Sequence, residues 1–202
     1  MEQKDVLSKF TTTLQNEIND SIETMDLEML LKARDIILGA IKKGNRVHVT
    51  GIGKPSYVAG YIASLLSSTG TPAYVLHGTE AVHGSSGQVL EGDVVIAISN
   101  SGETMELRQT VETLLRNEAI VVAVTRDLNS WLSRHSSVTL KARVEQEGDT
   151  LNKPPRSSII AETIVLQALS ILLQEAYELD EQIYVKWHPG GALGASIKVE
   201  EK

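Results

Sequence analysis

Hydroxyl and glycine residues crowd one short segment, Ser99-Asn100-Ser101-Gly102-Glu103-Thr104. It follows a β-branched run and precedes a helical pattern. Such a loop can hold an anion with its hydroxyls and backbone N–H groups, and the following helix adds its dipole. Gly102 lets the backbone approach a ligand closely. The alternative is a plain helix cap, because Ser and Thr favour that position anyway. Ser157-Ser158 opens a second, long helix and carries the same two readings. Gly51-Ile52-Gly53-Lys54-Pro55-Ser56 ends another strand-like run and offers one lysine. It is not a phosphate-binding Walker loop, since position 48 is His48 and not glycine, nor does it have the third glycine of a dinucleotide fingerprint. Glu103, Glu147, His83 and His188 supply the ionisable candidates. A carboxylate or imidazole base paired with an acid for oxygen atoms is what proton transfer between adjacent carbons requires.

The elements that must position these residues read as alternating helices and strands. Two helical stretches fill residues 1–43, one with Val6, Phe10, Leu14 and Ile18 on a face, the next with Leu27, Leu30, Leu31, Ile37 and Ile41. Strands are expected at 46–50, 73–76, 93–98, 119–125 and 138–140, and helices at 57–68, 104–117, 128–135 and 158–178. Residues 77–87 and 144–157 read as loops, and a polar tail follows Glu181. This alternation predicts a three-layer αβα sandwich around a five-stranded parallel sheet, of the flavodoxin-like or Rossmann-like kind. Ligands of such sheets bind at the carboxyl ends of the strands, which is where the loops above fall.

Composition narrows the ligand. The 202 residues carry 19 Lys and Arg against 26 Asp and Glu, a formal charge of −7, with no dense basic stripe. Nucleic acid is therefore disfavoured as a partner. With no cysteine, disulfides, thiolate metal sites and a cysteine nucleophile are excluded. No His/Asp/Glu cluster has metal-ligand spacing, and no cofactor is called for. No uninterrupted apolar run approaches about 18 residues, so a soluble, cytoplasmic protein is expected rather than a membrane one. A single domain is expected over 1–202, with helices to residue 43, an α/β core over 44–180 and an active-site tail over 181–202.

Taken together and in order, Gly51-Ile52-Gly53-Lys54, Thr69-Gly70-Thr71-Pro72, Glu80-Ala81-Val82-His83-Gly84, the run from Val94 to Thr104 and His188-Pro189-Gly190-Gly191-Ala192-Leu193-Gly194 resemble sugar isomerase (SIS) domains. More narrowly they resemble the D-arabinose-5-phosphate isomerase branch of Kdo, capsule and lipopolysaccharide biosynthesis. The resemblance implies cofactor-free interconversion of D-ribulose 5-phosphate and D-arabinose 5-phosphate through an enediol. It places Lys54, Glu103, Glu147 and His188 on the family's catalytic positions, and His83 on a histidine of the substrate pocket. Gly53, Ser56, Ser99, Asn100, Ser101, Gly102, Thr104, Arg156, Ser157 and Ser158 become substrate or phosphate contacts. It also implies a homotetramer whose sites borrow residues from neighbouring subunits. Pro55 replaces a usual serine, and Pro155-Arg156-Ser157-Ser158-Ile159 stands in place of a Thr-Ser-Ser-Thr-Thr pattern. The sequence stops soon after the glycine-rich tail, without the paired CBS domains of many relatives, so feedback by a product such as CMP-Kdo is expected to act on the SIS domain itself. The alternatives are a phosphosugar sensor without catalysis, and an isomerase of another sugar phosphate.

Overall fold

Short runs of valine, isoleucine and alanine form the strands, and the three central ones are buried on both faces, as a parallel sheet covered by helices requires. A computed structural model describes residues 3–190. The strands are β1 (Val47–Gly51), β2 (Ala73–Val75), β3 (Val94–Ile98), β4 (Ile120–Thr125) and β5 (Val138–Lys141). All four pairings are parallel, in the order β2-β1-β3-β4-β5. The five strands fall within a residue or so of their expected positions.

The helices are α1 (Gln3–Glu23), α2 (Leu27–Lys42), α3 (Pro55–Ser68), α4 (Gly78–Ala81), α5 (Met105–Arg116), α6 (Trp131–Arg134), α7 (Ser157–Ala176) and α8 (Glu181–Trp187). On one face α2, α3 and α7 bury Ile37, Ile62, Leu66, Leu166 and Leu169 against Val49, Ile96 and Val122. On the other, α5 and α6 cover Ala97, Val121 and Ala123 with Leu107, Val111 and Trp131. The alternation of neighbouring strand residues between these two cores is the period-2 geometry of a strand. The three-layer αβα sandwich is thus as the sequence predicts.

Three details depart from that reading. The segment 77–87, expected to be a loop, contains α4 and a 3₁₀ turn at Ser85–Gln88, and His77 Nδ1 accepts from Glu80 N–H to start α4. The expected polar tail contains α8, begun by Asp180, whose carboxylate accepts from Ile183 N–H at 2.7 Å. A short helix begun by one capping side chain leaves little periodicity for a sequence reading to find. α7 is long and apolar enough to span a membrane by length and composition, although no uninterrupted apolar run has that length; half of it is buried in the core instead.

The strand order reverses between β1 and β3, since β2 extends the sheet one way from β1 and β3–β5 extend it the other. Such a reversal opens a crevice at the carboxyl ends of the two strands. The loops that leave β1 and β3 are the two richest in candidate residues.

Candidate functional site

The β3 loop is shaped by its own short bonds. Gly102 N–H donates to Ser99 Oγ at 3.1 Å, Glu103 N–H donates to Ser101 Oγ at 3.2 Å, and the Ser99 and Thr104 hydroxyls are 3.2 Å apart. Gly102 holds a φ of +67°, and a Cβ there would come within 2.2 Å of Ser130 Oγ. Only glycine fits this turn without displacing α6. The loop delivers Thr104 to the start of α5, where its side chain makes no cap bond to the helix. Glu103 turns to α6 instead: its Oε1 accepts from Trp131 N–H at 2.6 Å.

Across the crevice, Ser157 and Ser158 open α7 with both side chains buried. The carboxylate of Glu147, itself 7% exposed, lies at the same helix start. Its Oε2 accepts from Arg156 N–H at 2.6 Å and from Ser158 N–H at 3.2 Å. These are amides that a helix start leaves without internal partners, and a negative charge there is favoured by the dipole. α1 fixes the loop that carries Glu147. Glu17 accepts from the N–H groups of Glu145 and Gln146 at 2.7 and 3.0 Å, and Phe10 lies against Gly148.

Between these elements lies a cavity of about 240 Å³, lined by Ile52 from the β1 loop and Pro55 at the start of α3, Ser99, Asn100, Ser101 and Thr104 from the β3 loop, and Pro155, Ser158, Ile159 and Glu162 from α7 and the residues before it. This is below the ~300 Å³ low end of pockets for drug-sized ligands, and suits a small anion or ester. Three of its lining side chains have buried oxygens with no hydrogen-bond partner among the described residues: Asn100 Oδ1, Ser158 Oγ and both carboxyl oxygens of Glu162. Unpaired buried oxygens from two separate elements, the β3 loop and α7, converging on one cavity, are what a polar ligand would satisfy. A neighbouring cavity of about 370 Å³ shares Ile52 as a wall and is lined by Gly53, Ser56, Tyr57, His77, Gly78 and Thr79.

The remaining expected residues are dispersed. Lys54 is exposed at the start of α3, beside the crevice, and forms no ion pair among the described residues. Ser56 Oγ donates back to the Gly53 carbonyl at 2.6 Å. Arg156 turns away from the serine loops, binds Asp149 through Nη1 and lines a separate, largely apolar cavity with Val6, Leu7 and Phe10. Desolvation alone would raise Asp149, but the Asn152 N–H, the Arg156 guanidinium and the Leu151 N–H together outweigh it and hold the carboxyl below its usual range. His83 is exposed and lines neither crevice cavity.

His188 is not brought to the crevice in this chain. Its Nδ1 sits 2.7 Å from the Tyr184 carbonyl, and its ring stacks on Tyr184 with centroids 4.0 Å apart. The preceding Trp187 packs beside Gly70, its ring carbons about 3.1 Å from where a Cβ would stand, in the turn that leads α3 into β2. That turn lies at the amino ends of the strands. The 14 residues of α3, about 21 Å at 1.5 Å each, separate it from the crevice. The residues from Gly191 to Gly194, which carry part of the C-terminal motif, lie outside the described residues.

The sequence reading missed Glu162 and Ile52 as site residues. Glu162 carried a signal, being the only ionisable residue in the apolar stretch from Ser157 to Gln174.

Comparison with known proteins agrees with this architecture. The model of the SIS domain family matches residues 40–172. The arabinose 5-phosphate isomerase KdsD of Francisella tularensis is 36% identical over 203 residues, covering 93% of this chain and 62% of the relative. The KdsD protein of Pseudomonas aeruginosa is 37% identical over 193 residues, covering 95% and 58%. The chain therefore spans about three-fifths of the length of these curated relatives. Among solved structures, c3406 of Escherichia coli CFT073 in complex with arabinose 5-phosphate superposes with a TM-score of 0.86 at 29% identity, over 94% of this chain and all of that one.

Proposed function

The chain belongs to the SIS domain family, and from that premise we propose that it is an aldose–ketose isomerase interconverting D-ribulose 5-phosphate and D-arabinose 5-phosphate. The observation that carries this reading is the crevice cavity, where unpaired buried oxygens of Asn100 and Ser158 face the starts of α5 and α7. Two helix starts and a hydroxyl-rich loop suit a phosphate ester. The likeness to KdsD proteins, and to a structure holding arabinose 5-phosphate, supports a pentose phosphate as that ester.

In this reading the phosphate rests on residues 99–104 with Ser157 and Ser158. Lys54 holds the sugar oxygens and stabilises the negative charge that develops on the enediolate, the term expected to dominate such a reaction. Glu147 takes the C2 proton of the aldose and returns it to C1, leaving the ketose with no net change in atoms or electrons. Glu103 keeps the phosphate loop against α6. His188, reaching in from a neighbouring subunit of a homotetramer with His83 beside it, opens the ring or moves the hydroxyl proton. The placement of His188 at the far edge of its own sheet supports a role across an interface. The product would enter Kdo biosynthesis, toward capsule or lipopolysaccharide, in the cytoplasm.

The deciding experiment incubates the protein with ribulose 5-phosphate and assays arabinose 5-phosphate. Formation of arabinose 5-phosphate is expected. Binding without conversion would instead indicate a phosphosugar sensor, and conversion of a different sugar phosphate alone would reassign the substrate. Exchange of the C2 proton with solvent is expected to vanish in Glu147→Gln while product still binds. Exchange at the wild-type rate would remove Glu147 from that role.

A further inference from the structure

Glu162 stands apart from the groups assigned so far. It is four residues after Ser158, so both side chains project from the same face of α7, one turn apart. Both line the crevice cavity together with Ser99, Asn100, Ser101 and Thr104. The residue is 0% exposed, and neither of its carboxyl oxygens has a hydrogen-bond partner among the described residues. As a packing residue it is unfavourable, because an unpaired buried polar group costs more than an apolar side chain of similar size.

We propose that Glu162 is a binding residue of the pocket, a neutral carboxylic acid that donates its proton in a hydrogen bond to the phosphate group of the bound sugar. This rests on the phosphate site of the preceding reading and adds to it a second acid with a defined protonation state. Among the described residues that line the cavity, Glu162 is the only ionisable one. A carboxylate would repel a phosphate dianion there, whereas a carboxylic acid has an O–H to offer it. Burial, with the negative charge of Glu147, pushes Glu162 up to about 8, so the acid is present at neutral pH. An arriving dianion favours the protonated form further.

The surroundings leave that state undisturbed by other titrations. Among the described residues, Glu147 is the charge that acts on Glu162. From the same segment, Arg156 is engaged with Asp149. From the β3 loop, Glu103 is engaged with Trp131 N–H. From α3, Lys54 and Tyr57 are exposed, and the Tyr61 hydroxyl accepts from Gln167 at 2.9 Å. α1 contributes Glu17, bound to the amides of Glu145 and Gln146. α2 buries only Leu30, Ala33, Ile37 and Ala40.

The test is calorimetric titration of the full chain with arabinose 5-phosphate at pH 7 and pH 9, each in two buffers of different ionisation heat. Binding at pH 9 should take up close to one proton per site, against nearly none at pH 7, and affinity should fall by up to about tenfold per pH unit above pH 8. Glu162→Gln keeps a donor at every pH, so its affinity should stay flat from pH 7 to 9 with no uptake. Uptake at pH 9 that persists in Glu162→Gln overturns the proposal. So does wild-type binding at pH 9 without uptake, which decides the matter even if the variant does not fold and leaves the isomerase reading intact. A wild-type protein that binds no arabinose 5-phosphate removes both.

Discussion

At the scale of single residues, two neighbouring carboxyls are handled in opposite ways. Glu147 has two amide donors on one oxygen, whereas Glu162 has none on either. The unpaired one bears on stability. Because the folded protein raises Glu162 from about 4.5 to about 8, its contribution is fully present below pH 4.5 and is lost as pH rises through 8. The ligand-free protein should lose about 4–5 kcal/mol across that window. Glu162→Gln should flatten the loss, which thermal melts at pH 5, 7 and 8.5 will register as a higher Tm for the variant at the two upper values. Lys54 makes a different prediction. Exposed and without an ion pair among the described residues, it is available to the reacting oxygens. Lys54→Ala should reduce kcat by about 10²–10³ while the fold, followed by circular dichroism, is unchanged. A change in KM alone would place the lysine in binding instead.

At the scale of elements, the β3 loop depends on one backbone conformation. Gly102→Ala would put a methyl group on Ser130 at a positive φ, so the loop or α6 must move, at a cost of about 1–3 kcal/mol. Phosphosugar affinity, read by calorimetry, should drop while secondary structure persists. The sheet has its own polar support. Asp93, just before β3, accepts from Arg46 N–H at 2.8 Å, Leu90 N–H at 3.0 Å and faces His48 Nε2 at 3.1 Å. Burial alone would raise Asp93, but these bonds outweigh it and keep the carboxyl below its usual range. Burial also lowers His48 and keeps it neutral despite Asp93. Asp93→Ala would leave two backbone donors unpaired and should cost about 2–4 kcal/mol in urea unfolding. Strands of this kind were legible in the sequence because a buried parallel strand needs an apolar β-branched run, and Val94–Ile98 and Ile120–Thr125 are little else. The turn at Ser99–Thr104 was legible for a similar reason, since small polar residues and glycine mark where a buried strand hands over to a helix. Arg156 was not. Its charge fits a phosphate as well as it fits Asp149, and only the folded loop decides between them. Glu162 shows in the sequence only as a lone acid in a helix that reads as core, and the cavity it shares with Ser158 is a property of three dimensions.

At the scale of the molecule, the crevice and His188 occupy opposite edges of the sheet, with α7 running 20 residues, about 30 Å, from one edge toward the other. If each site joins Lys54 of one subunit to His188 of another, co-expressing Lys54→Ala with His188→Ala should restore about a quarter of wild-type activity, since random assembly leaves that fraction of sites intact. Two variants that remain inactive together would show instead that both groups come from one chain. The separation of His188 from its own crevice has a further consequence, one of mass action. If His188 completes a neighbour's site, a lone subunit would hold sugar phosphate yet lack the group that completes turnover, and specific activity would become a function of protein concentration. Diluted below its assembly constant, the protein would pass from catalyst to reservoir, sequestering the substrate that it converts when abundant.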